Sequence, residues 1–144
     1  MISTKGRYAL RLMVDIAMFS NGNPISLKDV SNRQGISIKY LEQVVSLLTK
    51  SRLLISVRGN NGGYLLAKSP KDYSVLEILV AAEGTLAPVS CLQTEVNTCP
   101  RALGCATIDF WKGFYKTVND YAGSVSLEEL ATKEREKIGN DYSI

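Results

Sequence analysis

Between residues 4 and 19, Leu10, Met13, Ile16 and Ala17, joined by Tyr8 and Leu12, recur at helical spacing, with Lys5, Arg7, Arg11 and Asp15 at the more polar positions. That period belongs to an amphipathic α-helix, and Asn21-Gly22-Asn23-Pro24 ends it. Ser26 is placed to cap a short second helix, with Asp29 three residues on, Val30 as its apolar member and Gly35 as its stop. Ser37 caps a third. Its Ile38, Leu41, Val44, Val45 and Leu48 share one face, and Lys39, Glu42, Gln43, Ser46 and Lys50 lie elsewhere.

The period then shortens. Leu54-Ile55-Ser56-Val57-Arg58 and Tyr64-Leu65-Leu66-Ala67 are short runs rich in β-branched and aromatic residues, joined by Gly59-Asn60-Asn61-Gly62-Gly63, which predicts a hairpin with a flexible tip. Ser74-Val75-Leu76-Glu77 is a capping box that opens a helix through Ile78, Leu79 and Ala82 to Gly84, expected to pack against the first. Regular structure is interrupted from Ala87-Pro88 to about Ala106. Ile108, Trp111, Phe114, Tyr115, Val118, Tyr121 and Ala122 then mark one long amphipathic helix whose aromatic stripe exceeds the needs of a small module. A second capping box, Ser126-Leu127-Glu128-Glu129, starts a last helix, expected to fade into Lys133-Glu134-Arg135-Glu136-Lys137 and a frayed end. The fold class is mainly α with a small β-hairpin wing, closed by a long C-terminal helix suited to dimerisation.

A short helix, a tight turn with glycine and a second helix with a polar outer face form a helix-turn-helix, whose second helix enters the DNA major groove. A helical hairpin packed in a core has the same pattern. The hairpin that follows weighs for DNA, because as a wing it offers Arg58 to a minor groove and Asn60, Asn61 and the glycine amides to phosphates. An ordinary turn whose glycines supply positive φ is equally consistent with the tip.

Composition narrows the function. The chain has 144 residues, room for one ordinary core, and a net charge of +3, too mild by itself to imply nucleic acid. It has no histidine, the commonest general base, and no nucleophile–base pair or phosphate-binding motif, so an enzyme is not expected. No apolar run reaches the roughly 18 residues of a membrane span and no leader-like start is seen, so a cytoplasmic location with no membrane partner is expected.

All three cysteines, Cys91, Cys99 and Cys105, fall within fifteen residues, with seven residues between the first pair and five between the second. In a reducing compartment an odd number of thiols argues against a disulfide scaffold. Clustered thiolates select zinc, copper(I) or iron-sulfur clusters. Structural zinc lacks its usual Cys-x-x-Cys spacing here. Three unmetallated, buried thiols are the plain alternative, which the intervening Gln93, Thr94, Glu95, Asn97, Thr98 and Arg101 do not favour.

The segments S-T-K-G-R-Y-A-L (Ser3 to Leu10), G-I-S-I-K-Y-L-E-Q-V (Gly35 to Val44) and S-V-R-G-N-N-G-G-Y-L-L (Ser56 to Leu66) resemble the IscR-type iron-sulfur regulators and the wider Rrf-two family of bacterial winged helix-turn-helix transcription factors, over nearly the whole chain. The resemblance implies a homodimer crossed by long C-terminal helices, with an iron-sulfur cluster, 2Fe-2S ahead of 4Fe-4S, in the loop before each. It implies Cys91, Cys99 and Cys105 as ligands, Lys39, Tyr40, Glu42 and Gln43 at base edges, Arg58 in the wing, and Ser3, Thr4 and Lys5 at the DNA backbone. Side-chain chemistry agrees: glutamine bonds adenine bidentately, lysine reaches guanine, and glutamate accepts from cytosine. Such regulators often carry a histidine three residues after the last cysteine. Here that residue is Ile108, which leaves Asp109, Glu95, a group of the partner subunit, solvent or a small thiol as fourth ligand. Asp109 also suits the first turn of a helix capped by Thr107.

The expected organisation is therefore a DNA-binding domain at 1–84, a cluster loop at 85–106, and dimerisation and C-terminal helices at 107–144. The expected function is sequence-specific regulation of iron-sulfur, iron or sulfur metabolism genes, set by the cluster, on double-stranded DNA with a roughly palindromic operator. Control by a metabolite or partner protein is the alternative, and an iron-sulfur electron carrier or scaffold leaves the recognition helix and wing unexplained.

Overall fold

The structure, a computed structural model, describes residues 2–142. Six α-helices frame one hairpin: α1 Thr4–Phe19, α2 Leu27–Gln34, α3 Ile38–Lys50, β1 Leu54–Val57, β2 Gly63–Leu66, α4 Val75–Glu83, α5 Ile108–Ser124 and α6 Leu127–Tyr142. Serine hydroxyls begin five of the helices, accepting from the amides of Lys5, Asp29, Tyr40, Glu77 and Glu129 at 3.0–3.2 Å. Each bond satisfies a helix-end donor that has no partner within the helix. Only half of each expected capping box forms. Glu77 turns to the Lys68 ammonium at 2.8 Å and Glu129 lies 3.6 Å from that of Lys133.

The core lies where α1 crosses α3 and α4. Ala9, Leu12, Met13 and Ile16 of α1 meet Leu41, Val44, Val45 and Leu48 of α3 and Ile78 and Ala82 of α4. Leu127 of α6 is fully buried in the same cluster. The expectation that the last helix fades at Lys133 is corrected: α6 runs through the charged segment to Tyr142. Its packing along α1 supports it, with Arg135 donating to the Ala17 carbonyl at 3.3 Å, and a helix held on one face tolerates a charged outer face. Residues 143 and 144, where fraying was expected, lie outside the described residues.

β1 and β2 pair antiparallel, Leu54 opposite Leu66 and Val57 opposite Gly63. Ile25, in the loop before α2, bridges to Tyr64 through two backbone bonds of 3.0 and 2.9 Å and so extends the hairpin sideways. Gly63 has φ +154°, and a Cβ there would come within 2.3 Å of the Ile25 carbonyl oxygen. A second stitch joins the α5–α6 elbow to the start of α4: Val75 donates to the Val125 carbonyl at 2.8 Å and Leu127 to the Tyr73 carbonyl at 3.0 Å.

On α5 only Ala122 is buried. Of the stripe, Phe114 and Tyr121 are 41% and 72% exposed while Ile108, Trp111, Tyr115 and Val118 are half-buried, and Phe110 beside it is 63% exposed. Among the described residues no helix is long and apolar enough to cross a membrane.

Candidate nucleic-acid interface and cysteine loop

α2 and α3 meet at Gly35, whose left-handed backbone (φ +67°) lets the chain reverse between them. The turn is locked from α1. Asp15, fully buried, accepts from Arg33 at 2.9 and 2.7 Å and from the Gln34 amide at 3.0 Å. Arg11 holds both the side chain and the carbonyl of Gln34, and the Arg33 guanidinium lies 4.3 Å from the Phe19 ring centre. Four polar side chains thus fix the orientation of α3. Sequence reasoning placed Asp15 merely among polar positions. Its signal was its place inside the apolar stripe, three residues after Leu12 and beside Ile16.

With its apolar face on the core, α3 turns Lys39, Glu42, Gln43 and Ser46 outward. These four, with Leu47 and Lys5 of α1, line one open groove. Lys5, Lys39, Glu42 and Gln43 are therefore brought together. Tyr40 is not presented in the same way: it is half-buried, its ring edge-on to Tyr8 with centroids 5.1 Å apart, and it braces α3 against α1.

Thr4 and Ser3 are exposed at the start of α1, but Ser3 already has a partner. Glu83, the last residue of α4, accepts from the Ser3 amide at 2.8 Å, the Ser3 hydroxyl at 2.7 Å and the Gly6 amide at 2.9 Å. A Cβ at Gly6 would come within 2.7 Å of that carboxylate oxygen. Burial pushes the Glu83 carboxyl up, and the three donors outweigh it, holding its pKa below the ordinary value. Nothing in the sequence marked Glu83, because its partners lie about eighty residues away. At the wing, Arg58, Asn60 and Asn61 are exposed and clustered around the tip. Gly59 has φ +116°, so the turn reading of the glycines holds for the backbone.

The cysteine stretch is built differently. Cys91 lies in a single 3-10 turn at 90–92, Cys99 accepts from the Ala102 amide at 3.1 Å, and Cys105 follows a second such turn at 102–104. All three thiols are free and partly exposed. The Cys105 thiol stands 3.4 Å from the Thr107 hydroxyl, and that contact, with the amides at the start of α5, holds its pKa below the ordinary thiol value. Thr107 consequently makes no side-chain cap on α5, which corrects that expectation, while Asp109 does sit in the first turn. Glu95 is exposed in the loop. Among the described residues, no three Cys, Asp or Glu side chains are grouped so as to hold a metal ion, so the cysteines and the fourth-ligand candidates are not brought together.

The family description Rrf2, iron-dependent transcriptional regulator, matches residues 2–133. The chain belongs to the Rrf2 family. Among its Rrf2-type relatives, the HTH-type transcriptional regulator IscR of Photorhabdus laumondii is 38% identical over 133 residues, 92% of this chain and 80% of the relative. Protein rrf2 of Nitratidesulfovibrio vulgaris is 39% identical over 124 residues, 83% of this chain and 82% of that protein. Two solved structures share the fold. CymR, the global cysteine regulator of B. subtilis, aligns with a TM-score of 0.75 at 33% identity over 92% of this chain and 97% of its own. T. potens IscR aligns with a TM-score of 0.73 at 31% identity over 95% and 90%. This Rrf2 chain is therefore a winged-helix, DNA-binding transcriptional regulator and not an enzyme, as its relatives are named regulators.

Proposed function

We propose that this regulator binds a roughly palindromic operator as a homodimer, with an iron-sulfur cluster on Cys91, Cys99 and Cys105 setting its DNA affinity. Genes of iron-sulfur, iron or sulfur metabolism are its targets. The observation that carries the DNA side is the single groove uniting Lys5 of α1 with Lys39, Glu42 and Gln43 of α3. In it two cations and an amide are free to meet phosphates and base edges, and Glu42 accepts from cytosine or repels other bases. Arg58 at the wing tip reaches the neighbouring minor groove, and Thr4 and Ser3 lie toward the backbone.

The donor set suits a cluster in kind. Three soft thiolates lie within fifteen residues, and every hydrogen bond found between residues 88 and 106 joins residues at most three apart, so no long-range hydrogen bond found there opposes their convergence. Cys91, Cys99 and Cys105 would hold it, with Asp109, Glu95 or a group from the second subunit completing the set. When bound, the cluster supplies an iron- and redox-sensitive cross-link within the loop. The rest is done by the chain. Cys105 lies three residues before α5, whose exposed Phe110, Phe114 and Tyr121 form the face for a second copy. Ordering of the loop therefore bears on the dimer face and, through the elbow, on the DNA-reading half.

The test is operator binding by anaerobically isolated protein with and without its cluster. Equal affinity and equal base preference in the two states would remove the switch while leaving DNA recognition intact. Control by a metabolite is the second reading, favoured by a groove between α1 and α6 where Arg11, Lys133 and Lys137 surround Leu10, Val14 and Leu130. Protein isolated without iron or sulfide would bring it forward.

A further inference from the structure

The wing is short for the task given to it. Each strand has four residues, and a two-stranded hairpin of that size is marginal in water, so the direction of its tip depends on what anchors its base. One anchor is the Ile25–Tyr64 bridge. The other is Tyr73, the largest fully buried side chain among the described residues. Its hydroxyl donates to the Leu53 carbonyl at 2.6 Å and accepts from the amides of Ala67 at 2.8 Å and Lys68 at 3.3 Å. Leu53 directly precedes β1 and Ala67 directly follows β2, so one oxygen ties both stems of the hairpin. Direct closure between the stems is weaker, with Ala67 reaching the Leu53 carbonyl at 3.4 Å.

The same residue faces the other half of the molecule. Its carbonyl accepts from Leu127, the first residue of α6, and two residues on Val75 donates to Val125 in the elbow after α5. Lys68 caps the ring at 4.8 Å from its centre, held there by Glu77. Burial pushes the hydroxyl's pKa up, so it keeps the proton that it donates.

We propose that Tyr73 is the positioning residue of the wing, aiming Arg58 at DNA and joining the hairpin stems to the α5–α6 elbow. The inference rests on the reading of Arg58 as a DNA contact. A double-mutant cycle separates the two. Arg58→Ala is expected to weaken operator binding roughly tenfold. Tyr73→Phe removes only the oxygen and is expected to lose several-fold, with its melting curve recorded beside the affinity. The two together should lose no more than the larger single loss, because a wing no longer aimed gains nothing from its arginine. Additive losses, or full affinity in Tyr73→Phe, overturn the role of Tyr73 and leave the arginine contact standing. Full affinity in Arg58→Ala overturns both. Native-state hydrogen exchange on the unaltered protein decides the matter even if Tyr73→Phe does not fold. The amides of Ala67, Val75 and Leu127 should open together as one unit, and a stem amide that opens independently of Leu127 overturns the coupling.

Discussion

Around α3, polar side chains are tied to elements far away in the chain: Asp15 takes three bonds from Arg33 and Gln34, Glu83 takes three from the start of α1, and Tyr73 takes or gives three at the wing base. Between residues 88 and 106 the bonds are local, and side chains such as Val96 and Leu103 stand 71% and 107% exposed. Both regions offer unpaired chemistry to the solvent. In the first, buried polar groups satisfied across the fold hold the surface in one shape before DNA arrives. In the second, the hydrogen bonds found belong to short turns, and on the proposed reading the thiols take their final arrangement from the cluster. Under the proposed function that division is expected, because a reader must be rigid and a sensor must have two states.

The largest expected effect lies in the reader. Arg33→Ala leaves the fully buried Asp15 carboxylate without its guanidinium, and loss of about 3–5 kcal/mol is expected in denaturant unfolding, the usual cost of breaking such a pair from the side that leaves the charge buried. A loss below about 1 kcal/mol would say that the turn is not held from α1. Next comes the face between the regions. Phe114→Asp places a charge on the aromatic stripe of α5, and sedimentation should show monomers with operator affinity down about 100-fold, the avidity of two linked half-sites. An unchanged oligomer would move the dimer face elsewhere.

Glu83 gives a smaller effect with a defined sign. Its pKa is depressed in the folded protein, so its contribution is present above the ordinary carboxyl value of 4.5 and is lost as pH falls through the folded value. Melting temperatures of the parent should therefore fall more steeply below about pH 4.5 than those of Glu83→Gln, which keeps acceptors for Ser3 and Gly6 but does not titrate. Parallel curves would show that the carboxylate's charge is not what holds α1. The smallest effect belongs to the sensor: Cys105→Ser should change stability by no more than about 0.5 kcal/mol, as for an exposed site, while iron and sulfide content drops. A large loss of stability would make the loop part of the reader's core after all.

The starts of α2, α3, α4 and α6 were legible because a serine three residues before its bonded amide is a local signature, and so were the hairpin and the cysteine cluster. The aromatic stripe of α5 was legible as one exceeding the needs of a small module, but not which of its members stay half-buried (Trp111, Tyr115) and which are exposed (Phe114, Tyr121), since periodicity states that a face is apolar without stating what covers it. Asp15, Glu83 and Tyr73 escaped as site-forming residues. Each acts on a partner 18 to 80 residues away in the chain, and a lone polar residue reads as solvated until the opposing surface is known. The length of α6 was missed for the same reason, because its support comes from α1.

The order of amino acids by itself determined which segments become helices and strands, where they begin, and which chemistry the thiols and the polar face of α3 carry. Those depend on neighbours within four residues. The tertiary structure alone decided that Lys5 shares a groove with Lys39, that Glu83 occupies the amides of α1, and that the α5–α6 elbow meets the base of the wing through Tyr73. Such contacts depend on how the hydrophobic faces of α1, α3, α4 and α6 settle against one another, which is a property of the packed core rather than of any stretch of chain.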